Sequence, residues 1–233
     1  MRKFQLFIKR AFDLTVSLML LILLIVIPVL IIVPILIKVT SKGPAVFTQE
    51  RVGKGGKVFK IYKFRTMLIP EESYDKDGNM LEPKQRITKV GAFLRKTSID
   101  ELMQLFNIIN GTMSFVGPRP TLPYQVERYS EHQRKRLNMR PGITGWAQVN
   151  GRNDITWGEK IEYDIEYIEN FSLWFDIKIF LKTVAVVFKQ EGIAFTKDDA
   201  INAKEPAAAT EASGEVADAA LSESETKEET INQ

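Results

Sequence analysis

The sequence predicts a mostly α-helical fold with one small β-hairpin (α+β), opened by a proline-broken membrane helix and completed by amphipathic helices at the membrane interface. Three observations carry this. Leu14 to Ile37 is an uncharged run of 24 residues in which only Thr15 and Ser17 are polar. The cluster Gly53-Lys54-Gly55-Gly56 separates two runs with partly alternating apolar residues. From Ser98 onward, apolar residues recur at helical spacing.

As a straight helix the first run would measure about 36 Å against about 30 Å of hydrocarbon. A cleaved signal peptide is a poor match, because the run is long and no small-residue cleavage site follows. Two geometries compete. A simple spanning helix fits the length. Pro28, however, lacks an N–H and clashes with the preceding turn, freeing the Leu24 carbonyl, and Pro34 does the same to Leu30. Charge points the same way: Arg2, Lys3, Lys9 and Arg10 precede the run, and Lys38, Lys42, Arg51, Lys54 and Lys57 follow it. The positive-inside tendency places both flanks on the cytoplasmic side, which a re-entrant helix broken at Ile27-Pro28 satisfies.

The next elements follow in order. Val46 to Phe64 reads as a hairpin, its glycines being turn residues because the spacing and Lys-Ser/Thr ending of a phosphate loop are missing. Ile69 to Gln85 reads as a polar surface excursion. Helices are expected from Ser98, over Leu122 to Leu137, over Ile161 to Asn170 and over Ser172 to Gln190. The last mixes Trp174, Phe175 and Phe180 with Lys178, Lys182 and Lys189, which suits either a membrane-surface helix or a core-facing one. The organisation expected is therefore membrane helix and flanks over 1–42, a cytoplasm-facing domain over 43–195, and a disordered acidic tail over 196–233.

Charge divides the chain sharply. From Asp198 to Gln233 ten acidic residues face only Lys204 and Lys227, a net of −8; since the whole chain is +3, the preceding part is +11. A basic body calls for an anionic partner such as phosphates or acidic phospholipid. Membrane and phosphate contacts account for the basic residues, so nucleic acid is not expected. The absence of cysteine excludes disulfides, thiolate metal sites and cysteine nucleophiles, and the single His132 leaves little scope for a histidine triad or a zinc site. Chemistry must use carboxylates, basic groups or hydroxyls.

Asp100-Glu101 is the pair of most interest. Ser98 and Glu101 fit a capping box, and acidic residues are common in a first helical turn. The same position has a chemical use: adjacent carboxylates bind Mg²⁺, and an aspartate can attack phosphorus. Around it stand Lys63 and Arg65 in KFRTM, Arg95 and Lys96, and Arg119, whose backbone is fixed between Pro118 and Pro120. The stretch from Arg140 to Arg152 combines turn formers with Trp146, Gln148 and Asn150, either as an ordinary glycine-rich connection or as a loop recognising a polar planar ligand.

Taken together, several long motifs in order resemble the bacterial sugar transferases, specifically the small monotopic phosphoglycosyl transferases of the PglC type. They are KRAFDL (Lys9 to Leu14), the Pro28-bearing run, FTQERVGKGGKVFKIYKFRTM (Phe47 to Met67), LRKTSIDELMQLFNIINGTMSFVGPRP (Leu94 to Pro120) and RPGITGWAQVNGRN (Arg140 to Asn153). The resemblance covers about Lys9 to Gly192 and favours the re-entrant geometry. It implies an enzyme of the bacterial inner (cytoplasmic) membrane, with its site on the cytoplasmic face. The implied reaction moves a sugar-1-phosphate from a UDP-sugar to undecaprenyl phosphate, releasing UMP, as a first membrane step of glycoconjugate or N-glycan assembly and protein glycosylation.

Carried over by position, Asp100 is the nucleophile that takes the phosphosugar, and Glu101 with Asp100 binds Mg²⁺. Arg95, Arg119, Lys63, Gln148, Arg152 and Asp164 are the phosphate- and substrate-binding candidates. The first sugar expected is N,N'-diacetylbacillosamine, with a UDP-N-acetylhexosamine next. A homodimer or downstream glycosyltransferases are further partners. The sequence departs from the pattern at Ile27-Pro28, where relatives often carry Ser-Pro. A membrane adaptor that binds anionic lipid without catalysis is the competing class.

Overall fold

The computed structural model describes residues 2–151 and 155–188. The acidic tail and Arg152 lie outside the described residues. Helix α1 (Arg2–Val26) and helix α2 (Val29–Thr40) are bent by 61° at Ile27 and Pro28. The Ile27 N–H still reaches the Leu23 carbonyl at 2.9 Å, and the Pro28 carbonyl accepts from Ile31 and Ile32 at 3.0 and 2.9 Å, restarting the helix. Pro34 lies inside α2 without ending it. Among the described residues no single helix is long and apolar enough to cross a membrane; the bent pair passes that test together, by length and composition only.

The first turns of α1 are fastened to the rest of the fold by polar groups. Lys9 pairs with Asp176 at 2.6 Å, and the same carboxylate accepts from the Tyr167 hydroxyl at 2.6 Å. Asp13 accepts from the Ser114 hydroxyl at 2.8 Å and from the Phe115 N–H at 3.3 Å. Such charges are buried only because each has its partner. Further along, Leu20 and Leu24 pack on Ile61, Leu105, Ile108 and Met113, while Val33 and Ile37 pack on Ala45, Phe64 and Leu94. The opposite face stays apolar and exposed, with Leu18, Ile22, Ile25, Ile31, Ile35 and Leu36 outward.

Strands β1 (Val46–Val52) and β2 (Val58–Phe64) form the expected antiparallel hairpin, in register from Val46 opposite Phe64 to Val52 opposite Val58. Its turn needs glycine: Gly55 and Gly56 have φ of 69° and 78°. The loop from Ile69 to Gln85 is surface, with one short 3₁₀ turn at Pro70–Glu72. Helix α3 (Lys89–Lys96) follows, capped by the Thr88 hydroxyl, which accepts from the Gly91 N–H at 2.9 Å.

The helix expected at Ser98 is a 3₁₀ segment, Ile99–Gln104, running into α4 (Leu105–Ile109). The expected capping box does not form. Ser98 has φ 55°, in the left-handed region, whereas a capping residue sits in the extended region, and its side chain makes no capping bond. The Glu101 carboxylate is drawn to a lysine instead.

Strands β3 (Ser114–Val116) and β4 (Gly142–Thr144) form a short parallel pair absent from the sequence expectation. Their neighbourhood is tight: a Cβ on Gly142 would lie 2.1 Å from the Gly117 nitrogen. The single helix expected over Leu122 to Leu137 is divided into α5 (Pro123–Glu127), α6 (Glu131–Arg134) and a 3₁₀ turn at Lys135–Asn138. Ser130 caps the restart, accepting from the Gln133 N–H at 3.3 Å.

Helices α7 (Trp146–Asn150), α8 (Trp157–Glu169) and α9 (Leu173–Phe188) complete the body. Helix α9 meets the core-facing expectation on one side and leaves an apolar face exposed on the other. Phe175 and Ile179 face a core with Trp146 and Tyr167, while Trp174, Ile177, Phe180 and Leu181 point out into the exposed apolar surface.

Candidate active site

The site is organised at the end of β2, where Lys63 and the two residues just past the strand, Arg65 and Thr66, reach three different elements. Lys63 donates to the Glu101 carboxylate at 2.9 Å. Arg65 donates to the carbonyl and hydroxyl oxygens of Ser41, at 3.1 and 3.0 Å, and to the Lys42 carbonyl, holding the chain just after α2. The Thr66 hydroxyl accepts from Arg95 Nε at 2.9 Å. Gly91 lets α3 close on this strand end, since a Cβ there would lie 1.9 Å from the Thr66 carbonyl oxygen.

Asn107, which the sequence reading did not single out, joins α4 to β2. Its side chain accepts from the Tyr62 N–H at 3.1 Å and donates to the Lys60 carbonyl at 2.8 Å, pairing a strand edge that otherwise has no neighbour there. With strand and helix locked together, the 3₁₀ segment delivers Asp100 and Glu101 beside Lys63. The left-handed Ser98 turns the chain sharply between α3 and that segment, a backbone state costing about 1 kcal/mol or more that the packed surroundings sustain.

Asp100 is 9% exposed. Burial, and then the charge of Glu101, push its pKa up to about 6 against the opposing charges of Lys63 and Arg95. Burial acts on Glu101 in the same direction, yet Lys63 and Arg119, with hydrogen bonds from Lys63 and Gln104, outweigh it and hold Glu101 below the ordinary range. The two carboxylates are thus driven apart: Glu101 stays ionised and cation-bound, while Asp100 is a basic carboxylate near neutrality.

Arg119 stands exposed on a backbone with no freedom. The carbonyls of Pro118, Arg119, Pro120 and Thr121 accept in turn from the Gly142 N–H, Arg136 (3.0 Å), Arg51 (3.3 Å) and the Val52 N–H. Arg136 is itself buried, bonded to Asp164 at 2.6 Å and to the Tyr129 hydroxyl at 2.7 Å. Asp164 is therefore within the interior, where burial pushes it up to about 6 despite Arg136. It acts on Arg119 through Arg136.

The fold thus brings Lys63, Arg95, Asp100, Glu101 and Arg119 together, with Asp164 behind them. Gln148 lies on α7, donating to the Ile143 carbonyl at 3.4 Å and leaving its buried Oε1 without a partner among the described residues. The adjacent Asp100 and Glu101 supply hard oxygen donors whose mutual repulsion a divalent cation relieves. Among the described residues no cluster of three or more such ligands occurs, so Asp100 and Glu101 are the only carboxylates here that could offer oxygens to such an ion.

The chain is similar to known proteins. Residues 4–190 match the model of the bacterial sugar transferases. The sugar transferase EpsL of Bacillus subtilis (strain 168) is 46% identical over 189 residues, 81% of this chain and 91% of that one. The undecaprenyl-phosphate galactose phosphotransferase of Salmonella typhimurium is 42% identical over 202 residues, covering 80% and 41%. The UDP-glucose:undecaprenyl-phosphate glucose-1-phosphate transferase of Escherichia coli (strain K12) is 45% identical over 186 residues, covering 76% and 39%. The chain thus spans nearly all of the first relative and about two fifths of the other two. With the match running from the start of α1 to the end of α9, the chain belongs to the bacterial sugar transferase family.

Proposed function

We propose that this chain transfers a sugar-1-phosphate from a UDP-sugar to undecaprenyl phosphate in two steps centred on Asp100. The buried Asp100 beside the lysine-bound Glu101 carries this reading, because it supplies a reactive carboxylate and surrounding cations in one place. In the first step an Asp100 oxygen bonds to the β-phosphorus and the bond to the α-phosphate oxygen breaks, so that UMP leaves. In the second, a phosphate oxygen of undecaprenyl phosphate attacks the same phosphorus and Asp100 departs as carboxylate. Lys63, Arg119 and Arg95 offset the negative charge on the phosphoryl groups. Asp100 and Glu101 would hold Mg²⁺, which when bound would supply further charge neutralisation at the diphosphate.

Two of the relatives named above act on galactose and glucose by name, which moves the expected donor from an N-acetylated sugar toward a hexose. A panel of UDP-galactose, UDP-glucose, UDP-N-acetylhexosamines and UDP-N,N'-diacetylbacillosamine, read as UMP release, decides the sugar. Asp100→Asn is expected to abolish release with every donor. Full turnover by a folded Asp100→Asn variant would remove Asp100 from this role, and intact donors throughout would favour the non-catalytic adaptor.

The apolar helix pair enters and leaves the membrane on the cytoplasmic side. This is supported by ties from both flanks to the same folded body: Arg10 donates to the carbonyls of Ile108 and Ile109 at 2.5 and 2.9 Å, and Arg65 holds Ser41 and Lys42. Tags at the N-terminus and after Lys42 are expected on one side; opposite sides would contradict a re-entrant pair.

A further inference from the structure

A cavity of about 700 Å³ opens beside the start of α1, and the proposed transfer makes no use of it. Seven cationic side chains line it, with Glu169 the one carboxylate among its lining residues. Lys9 is neutralised by Asp176 at 2.6 Å and Lys135 by Glu169 at 2.8 Å. Three arginines are held by main-chain carbonyls, which position them without cancelling their charge. Arg2 donates to Ile168 at 2.8 Å, Arg10 to Ile108 and Ile109, and Arg140 to Gly111 at 3.0 Å. Lys3 and Lys54 have no carboxylate partner among the described residues. The one further carboxylate acting on Arg10 is Asp13, bonded to Ser114 in the cavity wall. Burial, and then the neighbouring Arg140, lower the Arg10 pKa, against Asp13.

The cavity lies away from the carboxylate pair. Arg10 grips the far end of α4, and the nine residue steps from Asp100 to Ile109 rise by about 15 Å along the helical segments. None of Lys63, Arg95, Asp100, Glu101 and Arg119 lines it. Leu6 and Phe7 also line it, and exposed Phe7 shares a helix face by spacing with exposed Phe4, Leu18, Ile22 and Ile25. A cationic floor beside exposed aromatic rings matches a phosphate ester attached to hydrocarbon chains.

We propose that this cavity binds the phosphodiester headgroup of an anionic phospholipid, whose acyl chains run along Phe4 and Phe7. It rests on the membrane placement above, and goes beyond the transfer chemistry. The full chain in neutral detergent, titrated with phosphatidylglycerol or phosphatidylcholine and followed by native mass spectrometry, should retain phosphatidylglycerol selectively. The double variant Lys3→Gln with Lys54→Gln should weaken retention roughly 30-fold, equivalent to about 1 kcal/mol for each lysine near an anionic lipid. Lys57→Gln with Lys60→Gln, the same charge loss on the hairpin outside the cavity, should leave retention intact. UMP release should stay at the wild-type level in both, so failure of the lipid site and failure of the transferase reading give different results. Equal loss in the two double variants, or no preference over phosphatidylcholine, would overturn the proposal. So would displacement by undecaprenyl phosphate or by free glycerol phosphate at matched concentration, which would assign the cavity to the carrier or to a soluble phosphate.

Discussion

Replacing Asp100 with asparagine should remove activity and stabilise the fold, and the size of the gain follows from the site. An aspartate whose pKa rises from 3.8 to about 6 on folding is held in the structure preferentially as the neutral acid. Between those two values the unfolded chain releases this proton while the folded chain keeps it, so stability falls as pH rises through that window and is constant above it. The shift is about 2 units at about 1.36 kcal/mol each, giving a ceiling of about 3 kcal/mol. Asparagine has nearly the same shape and carries no charge to bury or to repel Glu101. Wild type and variant should therefore differ least at pH 4 and diverge up to pH 6. Above that, the variant should be more stable by up to roughly 6–12 °C in Tm for a chain of this size. Thermal unfolding of both proteins in one detergent across pH 4–8 measures this. A variant that is less stable at pH 7.5, or a difference that does not change with pH, would refute a strained, buried carboxylate.

Three further outcomes follow from the same geometry. Lys63→Met removes the cation 2.9 Å from Glu101 and one of the two charges that hold the Asp100 pKa down, so the acid limb of the UMP-release profile should move to higher pH. Gly91→Ala places a Cβ against the Thr66 carbonyl oxygen, forcing α3 off the strand end. Loss of activity with a Tm drop is expected, and unchanged activity would show that the Arg95–Thr66 contact is dispensable. Arg136→Met leaves Asp164 buried without its partner at a cost of about 3–5 kcal/mol, and adding Asp164→Leu should recover most of that stability in thermal unfolding.

Features marked by a local pattern were legible in the sequence. The hairpin is announced by Gly53 to Gly56 between alternating runs, and the helix break by a proline that removes an N–H at position 28. The division of Leu122 to Leu137 was also legible, because Ser130 and Gln133 have capping-box spacing and mark a new helix start, but apolar periodicity alone passed over it. Ser98 was misread for a different reason. A left-handed residue that is not glycine leaves no local signature, and a lysine 38 positions earlier decides where Glu101 turns. The parallel β3–β4 pair is three residues per strand, too short for an alternation to register. Asn107 and Arg136 act through partners far away in the chain, and Arg65, which the sequence sets among the cations beside the pair, instead holds Ser41 and Lys42. Only the unexpected polar residue inside LFNII could have drawn attention to the first.

Intact-mass and peptide mass spectrometry of the chain mixed with its UDP-sugar, with no lipid carrier present, tests the Asp100-centred transfer most directly. A phosphosugar adduct on Asp100, matched by UMP release and cleared when undecaprenyl phosphate is added, is the expected result. UMP formed only once the carrier is present, from a chain that never gains mass, would contradict it.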